Sequence, residues 1–351
     1  MQAESFGEPN TNHNMSFLAY LHKVSDGVVL SVEDAQDAME LILNGGATTA
    51  QIAGFAVAIK MRGEVRDEVL GFARAMRKHS VKVDVGTSDT LLDTCGTGGD
   101  GAGTFNISTI AAFVVAGAGL KVAKHGGRSS SGTFGSADLL EALGVKIDLD
   151  SSHCARAIHQ IGIGFLFAPA LHPAMRHARQ ARVELKMRTV FNLLGPLTNP
   201  AGAQVQLIGA PSEQAARIMA EALNELGTRR ALVVHGLDGL DEISTTGPTV
   251  VFEAIGGRVH QHLWTPGDFG VPRTVLSKLI PDRTEDNIEI ARNVLSGHSG
   301  PHRDIVVVNA AAALWVAGRV TDLRAGVIVA GESIDSGAAH AKLRALAEFA
   351  A

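Results

Sequence analysis

From Thr90 onward, short apolar segments alternate with segments of helical pattern, and this alternation limits the fold more than any other feature. Strand candidates lie at Thr90–Thr94, Leu120–Ala123, Phe165–Ala168, Gln204–Ile208 and Ala231–His235. Helix candidates stand between them, at Phe105–Ala118, Ser136–Gly144 and Ser212–Leu226. Strands that alternate with helices favour a parallel sheet covered by helices. The sequence therefore predicts the α/β class, with a mostly parallel central sheet.

Two further patterns follow this alternation. Thr249–Leu263 is typical of a β-hairpin at a sheet edge, because two strand-like runs flank the turn candidate Gly256-Gly257. Apolar segments at Ile305–Ala317 and Ala338–Phe349 predict two helices that close the chain.

The chain before the first strand candidate has a different pattern. From Ser16 to about His79, apolar residues recur at helical spacing, with stops at Asn44-Gly45-Gly46 and Gly63. Ser31 and Asp34 have the spacing of a helix N-terminal cap. We predict a small all-helical domain over residues 15–85, hinged to a large α/β domain over 86–172 and 191–351. The polar helical pattern of Pro173–Glu184 suggests that residues 173–190 return to the helical domain.

Composition excludes several classes of protein. The 351 residues are 46% hydrophobic, which provides a sizeable core and excludes a disordered chain. A net charge of −5 and 5% aromatic residues argue against a nucleic-acid binder. No apolar run reaches the roughly 20 residues that span a bilayer, so no membrane partner is expected. Two cysteines cannot form a disulfide framework, and the first 14 residues lack a signal-peptide pattern, so we expect a cytoplasmic protein.

The strongest local motif is the glycine-rich segment Asp93–Gly103, DTCGTGGDGAG. Gly96, Gly98 and Gly101 satisfy the GxGxxG spacing of dinucleotide-binding loops, but no ribose-binding acid follows about 20 residues later. A Walker loop is excluded because no GK[ST] follows. Backbone N–H groups of a glycine turn, followed by a helix N-terminus, favour an anion site. A tight turn without a ligand is the alternative.

A second segment, Ala123–Asp138, combines cations and hydroxyl groups on a glycine-rich backbone. They are Lys124, His125, Arg128, Ser129, Ser130, Ser131 and Thr133. Such groups bind phosphate or pyrophosphate oxygens, which makes this a second candidate anion site. A solvated basic loop is the alternative.

Carboxylates dominate a third segment, Val234–Ser244. Asp241 and Glu242 are adjacent there, with Asp238 close by. Neighbouring carboxylates in a loop can hold two Mg²⁺ ions that also bind phosphate oxygens. Taken alone such a pair is more often a solvated loop, but two anion sites in the same chain favour a metal site. Arg182, on the polar helical segment, is a candidate for bidentate binding of a carboxylate.

Six motifs occur in the order and at the spacing found in anthranilate phosphoribosyltransferases. They are DTCGTGGDG, NIST, AKHGxR, GSADLLEALG, RTVFNLLGPLTNP and VVHGLDGLDEIS. The chain therefore resembles that family from about Phe17 to its C-terminus. The resemblance implies Mg²⁺-dependent transfer of the phosphoribosyl group of 5-phosphoribosyl 1-pyrophosphate (PRPP) to the amine of anthranilate, with release of pyrophosphate. It also implies a homodimer formed through the helical domain.

The resemblance also implies roles for individual residues. Those that bind PRPP would be Gly96, Gly98, Gly99, Asp100, Thr104, Asn106, Ser108, Thr109, Lys124 and Ser131. Those that bind anthranilate would be Gly96, His125, Gly127, Pro169, His172 and Arg182. Two Mg²⁺ ions would be held by Ser108, Asp241 and Glu242. No side chain is implied as an acid or base, because the arylamine is already nucleophilic and positioning and electrostatics dominate.

Four positions depart from the family pattern. Gly127 stands where the family has the asparagine of KHGN, Gly132 and Phe134 alter the following serine-rich segment, and Lys186 replaces the glycine of ELG. Loss of an amide that hydrogen-bonds substrate costs about 1–3 kcal/mol. Two alternatives remain open: an enzyme resembling pyrimidine nucleoside phosphorylase, which the acidic pair disfavours, and a non-enzymatic nucleic-acid-binding paralogue, which the net charge disfavours.

Overall fold

The computed structural model describes residues 15–86, 88–98, 101–128 and 134–349. Of the positions that the resemblance identifies, Gly99, Asp100, Ser131 and Gly132 lie outside the described residues.

The N-terminal part is helical, as predicted. Its helices are α1 (Phe17–Ser25), α2 (Val32–Leu43), α3 (Thr49–Arg62) and α4 (Arg66–His79). The Asp34 N–H donates to the Ser31 hydroxyl at 3.1 Å, which confirms the predicted cap of α2. Gly63 ends α3 with φ of +97°, a conformation that glycine adopts without steric cost.

One seven-stranded sheet forms the centre of the α/β part. Its strands are β1 (Leu91–Gly96), β2 (Lys121–Gly126), β3 (Ile163–Phe167), β4 (Val205–Gly209), β5 (Arg230–Gly236), β6 (Thr249–Ile255) and β7 (Arg258–Trp264). They are ordered β3-β2-β1-β4-β5-β6-β7, and β1 to β5 are parallel. The antiparallel strands β6 and β7 form the predicted edge hairpin. The predictions of a mostly parallel sheet and an edge hairpin are confirmed.

Further helices follow α4 along the chain. They are α5 (Ile107–Gly117), α6 (Ser136–Ala142), α7 (Ser151–Ile161), α8 (Ala168–Leu171), α9 (Arg176–Leu185), α10 (Val190–Leu197), α11 (Glu213–Glu225), α12 (Pro266–Phe269), α13 (Asp286–Leu295), α14 (Pro301–Val316), α15 (Leu323–Asp335) and α16 (Ala338–Glu348). Within the part of the chain that the structure describes, no helix is both long and apolar enough to cross a membrane.

The two predicted closing helices are present as α14 and α16, but the prediction missed α15, which lies between them. Its sequence contains two glycines, which lower helix propensity and hide the pattern. The structure shows why Gly326 is there: a Cβ at this position would lie 2.8 Å from the Ala311 carbonyl oxygen of α14. Close packing of α15 on α14 therefore needs a residue that weakens the local helical signal.

The two faces of the sheet bury different helices. Leu92, Leu207 and Leu232 pack in one apolar cluster with α5 and α14. Ile208 and Val233, which point to the opposite face, pack with α10, α11 and the helices of the N-terminal domain. Each fully buried aliphatic side chain contributes about 1.5–3 kcal/mol, so both faces are strongly specified. The helical domain is thus continuous with the core on one side of the sheet.

Two contacts join the N-terminal helices to the rest of the chain. The Arg77 guanidinium of α4 donates to the carbonyl oxygens of Leu197 (2.7 Å) and Leu226 (3.2 Å), at the ends of α10 and α11. Helix α9 packs against α2 and α3.

The strand order creates a topological switch point between β1 and β4. From β1 the chain moves outward through β2 and β3, and it then returns to place β4 on the other side of β1. The loops after β1 and β4 diverge there, and ligands of open α/β sheets bind at such crevices. The glycine-rich segment follows β1, which places it at this crevice.

Candidate active site

The first residues of the glycine-rich segment, Gly96–Gly98, form what we call the glycine loop. The Thr97 N–H donates to the Gly209 carbonyl oxygen at 3.0 Å, so the loop is fixed to the end of β4. Gly98 has φ of +63°, which favours glycine, and its N–H donates to Asp241 Oδ2 at 3.0 Å. The loop therefore begins at the switch point and is held by a carboxylate from the loop after β5.

Asp241 and Glu242, the acidic pair, connect the glycine loop to the start of α5. Both are buried. Glu242 Oε1 accepts the Ser108 N–H at 3.2 Å, in the first turn of α5, where the helix dipole attracts negative charge. The structure thus brings together Gly98, Ser108, Asp241 and Glu242, which are more than 130 residues apart at the extremes.

The acidic pair can hold Mg²⁺ only with help from other ligands. In the described ranges, no group of three or more His, Cys, Asp or Glu side chains is arranged to hold a metal ion. Mg²⁺ is usually bound through one or two carboxylates, with waters and substrate phosphates in the remaining positions. Two carboxylates beside a candidate anion-binding loop fit that pattern.

Lys124 lies on β2, beside β1, and is almost completely buried. Its Nζ donates to the Thr94 carbonyl oxygen at 2.6 Å, while the Thr94 hydroxyl donates to the Ser108 carbonyl oxygen at 3.0 Å. Burial lowers the pKa of Lys124, because the ammonium loses water. Thr94 therefore links Lys124 to Ser108, within the same site.

Sequence reasoning missed a buried carboxylate that organises this region. Asp93 is fully buried: Oδ1 accepts the His125 N–H (3.1 Å), and Oδ2 accepts the Asn199 side-chain amide (2.8 Å). Asn199 also donates to the Ala123 carbonyl oxygen. Burial raises the pKa of Asp93. An aspartate inside an otherwise apolar strand was the signal, because buried charges need specific partners.

Two buried histidines, one on β2 and one directly after α8, lie side by side. Their rings are 5.1 Å apart, and His125 Nδ1 contacts the Gly195 carbonyl oxygen of α10 at 3.1 Å. The Nε2 atoms of His125 and His172 are buried, and neither has a hydrogen-bond partner among the described residues. Burial lowers the pKa of His125 to about 3 and that of His172 to about 4. Both rings are therefore neutral near pH 7.

The remaining residues assigned to anthranilate lie on neighbouring elements. Arg182, on α9, is half-buried and lies 6.0 Å from the centre of the Phe191 ring on α10, and burial lowers its pKa. Pro169 is exposed on α8. Among the described residues, a Cβ added at Gly127 would meet the Ala168 Cβ, at 3.9 Å, so contact with these residues does not require glycine there. Helix α10 thus contacts both Arg182 and His125.

Three details of the sequence interpretation need correction or completion. Arg128 does not join Lys124: its guanidinium forms ion pairs with Asp138 and Glu141 of α6. Gly135 is the cap residue of α6, and the Ser136 hydroxyl donates to the Gly127 carbonyl oxygen. Nearby, Asn106 donates to the Phe134 carbonyl oxygen, and its Oδ1 has no partner in the described chain.

Two other residues assigned to PRPP lie around the start of α5. Thr104 is partly buried ahead of the helix, and Thr109 is almost fully buried in its first turn. Their assignment to PRPP stays a prediction.

Comparison with known proteins decides the family. Residues 18–80 match the helical bundle domain of a glycosyl transferase family, and residues 88–340 match the a/b domain of that family. The anthranilate phosphoribosyltransferase of Solibacter usitatus (strain Ellin6076) is 57% identical over 338 residues, which cover 96% of this chain and 99% of the relative. The chain belongs to the anthranilate phosphoribosyltransferase family. The resemblance inferred from the six motifs is confirmed.

Solved structures of anthranilate phosphoribosyltransferases share the whole fold. The Thermus thermophilus enzyme superposes with a TM-score of 0.88 at 43% identity, covering 94% of this chain and 98% of that one. The Saccharomyces cerevisiae enzyme, solved in complex with PRPP and Mg, has a TM-score of 0.86 at 31% identity, covering 95% and 97%.

Gly209→Ala is expected to destabilise this member of the anthranilate phosphoribosyltransferase family by about 2–3 kcal/mol. A Cβ there would lie 1.5 Å from the Asp241 carbonyl oxygen, so the backbone that carries the acidic pair must move. Urea denaturation measures the change. Gly331→Ala is the matched control, because its Cβ would meet only Arg303, at 3.7 Å, and alanine stabilises a helix interior by about 0.5–1 kcal/mol. Equal stability of the two variants would contradict the steric argument.

The histidine pair predicts that stability falls in mild acid. The unfolded state binds protons near pH 6.5, whereas the folded pKa values are about 3 for His125 and about 4 for His172. As the pH falls below 6.5, the unfolded state takes up protons that the folded state does not. The free energy of unfolding should therefore drop by about 2–3 kcal/mol between pH 6.5 and pH 5 from this pair.

Urea denaturation across this pH range measures the dependence. In His172→Gln the slope of stability against pH should become shallower, whereas the same change at exposed His340 should leave it unaltered. A slope in His172→Gln equal to that of the wild type would refute the neutral-histidine assignment.

Proposed function

We propose that the chain catalyses transfer of the phosphoribosyl group of PRPP to the amine of anthranilate, giving N-(5-phosphoribosyl)anthranilate and pyrophosphate. This is a step of tryptophan biosynthesis. The observation that carries the proposal is the acidic pair at the switch point, where Asp241 accepts from Gly98 and Glu242 accepts from Ser108. The two carboxylates contact a candidate anion-binding loop and a helix N-terminus. This arrangement suits a magnesium-chelated diphosphate.

The donor side of the proposed site is built around that contact. The N–H groups of the glycine loop, the first turn of α5 with Asn106 and Ser108, and the buried cation of Lys124 would bind the phosphate groups of PRPP. The acidic pair, with the Ser108 hydroxyl, would hold two Mg²⁺ ions. When bound, Mg²⁺ neutralises charge that develops on the departing pyrophosphate. The Asn106 side-chain oxygen is buried and has no partner among the described residues, so it would accept a hydrogen bond from a hydroxyl group of PRPP.

The acceptor side would bind anthranilate as an anion. Arg182 is the candidate for the carboxylate, since His125 and His172 are neutral and offer no positive charge. Their rings, next to Pro169 and Gly127, would instead contact the aromatic ring. The arylamine needs no base to become nucleophilic, so the residues hold it beside C1′ of the donor while oxocarbenium character develops there. Catalysis then rests on positioning and electrostatics.

Loss of anthranilate fluorescence tests the reaction directly. The purified protein should consume anthranilate only when both PRPP and Mg²⁺ are present, and a chelator should stop it. Related aminobenzoates in the same assay establish the acceptor. Absence of turnover with fresh, metal-replete protein would refute the proposal, and phosphate-dependent release of a pyrimidine base from a nucleoside would support the phosphorylase alternative.

We also infer a cytoplasmic location, to which the two buried free cysteines, Cys95 and Cys154, are suited.

An exposed apolar surface supports the predicted homodimer. Leu18 of α1, Val28 and Val29 after it, and Met61 of α3 are 44%, 49%, 50% and 84% exposed. Arg62, next to Met61, donates to the Val28 carbonyl oxygen at 2.7 Å, and α1 packs against α3, so these side chains lie on adjoining elements. Contiguous exposed apolar side chains of this kind mark protein–protein interfaces. We infer that a second copy of the chain covers this surface of the helical domain.

Met61→Asp is expected to convert the dimer into monomers, because a charge would have to be buried without a partner. Light scattering coupled to size-exclusion chromatography measures the mass. Ile328→Asp, at a position 62% exposed on α15, is the matched control and should remain dimeric. A monomeric wild type, or a dimeric Met61→Asp variant, would contradict the assignment of this surface.

A further inference from the structure

Arg188 lies between the two helices that frame the acceptor side of the site. Helix α9 ends at Leu185, and α10 begins after Thr189, whose backbone N–H donates to the Asn192 side-chain oxygen. Arg188 therefore sits in a connection of a few residues, fixed at its far end by the cap of α10. The motif RTVFNLLGPLTNP includes Arg188, but the proposed function gives it no role.

The Arg188 guanidinium contacts the glycine loop, which is 90 residues earlier in the chain. Nη2 donates to the Thr97 hydroxyl oxygen at 2.8 Å, and Nη1 donates to the Gly98 carbonyl oxygen. The two acceptors belong to consecutive residues, so the planar fork of one arginine spans them. A lysine cannot reproduce this arrangement, because its ammonium is a point charge without fixed geometry.

These two hydrogen bonds add to those that other elements make with the glycine loop. The Thr97 N–H is held by Gly209 of β4, and the Gly98 N–H is held by Asp241. Arg188 takes two further polar groups, the Thr97 hydroxyl and the Gly98 carbonyl oxygen. With the carbonyl oxygen of Gly98 turned toward Arg188, the loop is held in one conformation by three different elements of the fold.

The same connection leads back to the acceptor side. Lys186 caps α9 with φ of +45° and ψ of +33°, and it is the one non-glycine residue with positive φ in the described chain. This conformation costs about 1–2 kcal/mol for a side-chain residue. The turn therefore directs the chain from α9, which carries Arg182 and packs on α2 and α3, straight to the glycine loop.

We propose that Arg188 is a positioning residue that holds Thr97 and Gly98 in the conformation that binds PRPP and joins the glycine loop to the helix that carries Arg182. The inference rests on the proposed transferase function. Two consequences follow. Loss of Arg188 weakens PRPP binding through the loop, and it uncouples the binding of PRPP from that of anthranilate.

Calorimetric titration with Mg²⁺ and PRPP tests the first consequence. Arg188→Ala should raise the PRPP dissociation constant roughly tenfold, and Arg188→Lys should restore little of the lost affinity.

Thr97→Val removes one acceptor and should raise the PRPP dissociation constant about threefold, whereas Thr97→Ser should bind PRPP as the wild type does. Since both changes break the same bond, the double variant Arg188→Ala, Thr97→Val should bind no worse than Arg188→Ala alone. Exposed Arg319→Ala is the control for loss of a surface arginine.

Titration with anthranilate tests the second consequence. Without PRPP, Arg188→Ala should bind anthranilate with a dissociation constant within about twofold of the wild-type value. Addition of PRPP should change the anthranilate affinity of Arg188→Ala less than it changes that of the wild type. Thermal unfolding of each variant identifies a fold defect, and the Thr97→Val and Thr97→Ser pair keeps the test valid if Arg188→Ala does not fold.

Three results would overturn the inference. They are recovery of PRPP binding by Arg188→Lys, full additivity in the double variant, and a wild type in which PRPP does not alter anthranilate affinity. The first would mean that Arg188 acts as a charge on the substrate, and the second that Arg188 and Thr97 act independently. If the wild type binds PRPP and any of these results is obtained, only the role of Arg188 is refuted. If the wild type does not bind PRPP, the proposed function is refuted as well.

Discussion

Glu242→Gln is expected to lower turnover with PRPP and anthranilate by about a hundredfold to a thousandfold. Glutamine keeps the shape of the side chain and an oxygen that can accept the Ser108 N–H, which lies 3.2 Å from Glu242 Oε1. What it removes is the negative charge at the start of α5. The loss should therefore appear in metal-dependent turnover and not in folding.

Steady-state kinetics over a range of Mg²⁺ concentrations measures this effect. The half-saturating Mg²⁺ concentration should rise in Glu242→Gln, and the melting temperature should stay close to that of the wild type. Glu332→Gln, the same substitution on α15, away from the acidic pair, should leave both quantities unchanged. An unaltered Mg²⁺ dependence in Glu242→Gln would exclude Glu242 as a metal ligand.

Arg182→Ala is expected to raise the KM for anthranilate by about one to two orders of magnitude. The Arg182 guanidinium is partly stripped of water, which lowers its pKa and strengthens its attraction for a carboxylate that enters the site. The neutral His125 and His172 cannot replace that charge. The KM for PRPP should change less than about threefold, because the residues proposed to bind the donor do not include Arg182.

The comparison of the two KM values decides the role of Arg182. Arg179→Ala, at an exposed position on the same helix, is the control for loss of positive charge from α9. Equal increases in both KM values for Arg182→Ala would mean that the substitution disturbs the site as a whole. An aminobenzene without the carboxylate, tested as acceptor, should be used equally poorly by wild type and variant.

Periodicity in the sequence was sufficient for the sheet and for six of the twelve described helices that follow α4. Helices α7, α8, α10, α12, α13 and α15 were not predicted. The strands β1 to β5 were recognisable because a buried parallel strand is a short apolar run between glycine-rich turns. Helix α15 was not recognisable, since Gly326 is required by contact with Ala311 of another helix. The boundaries of the two domains and the return of residues 173–190 to the helical domain stay predictions, although α9 packs on α2 and α3.

Motif chemistry identified the acidic pair and the glycine loop but not the residues that support them. Asp93 and Asn199 were part of quoted motifs, yet their link to His125 depends on three separate segments meeting in the interior. Arg128 was assigned to phosphate from its neighbours in sequence, whereas two carboxylates of α6 hold it. Side-chain type predicts what a group can bind, and only its surroundings decide which partner it has.

By itself, the sequence determined the fold class, the family and the segments that carry the chemistry, because these depend on local periodicity and on residue types at short spacing. The tertiary structure alone decided that Asp241 meets Gly98, that Glu242 meets Ser108, and that Arg188 meets Thr97. Those contacts join residues about 90 to 143 positions apart. Their formation depends on the order in which β4 and β5 are added beside β1, and on the need of buried polar groups for partners.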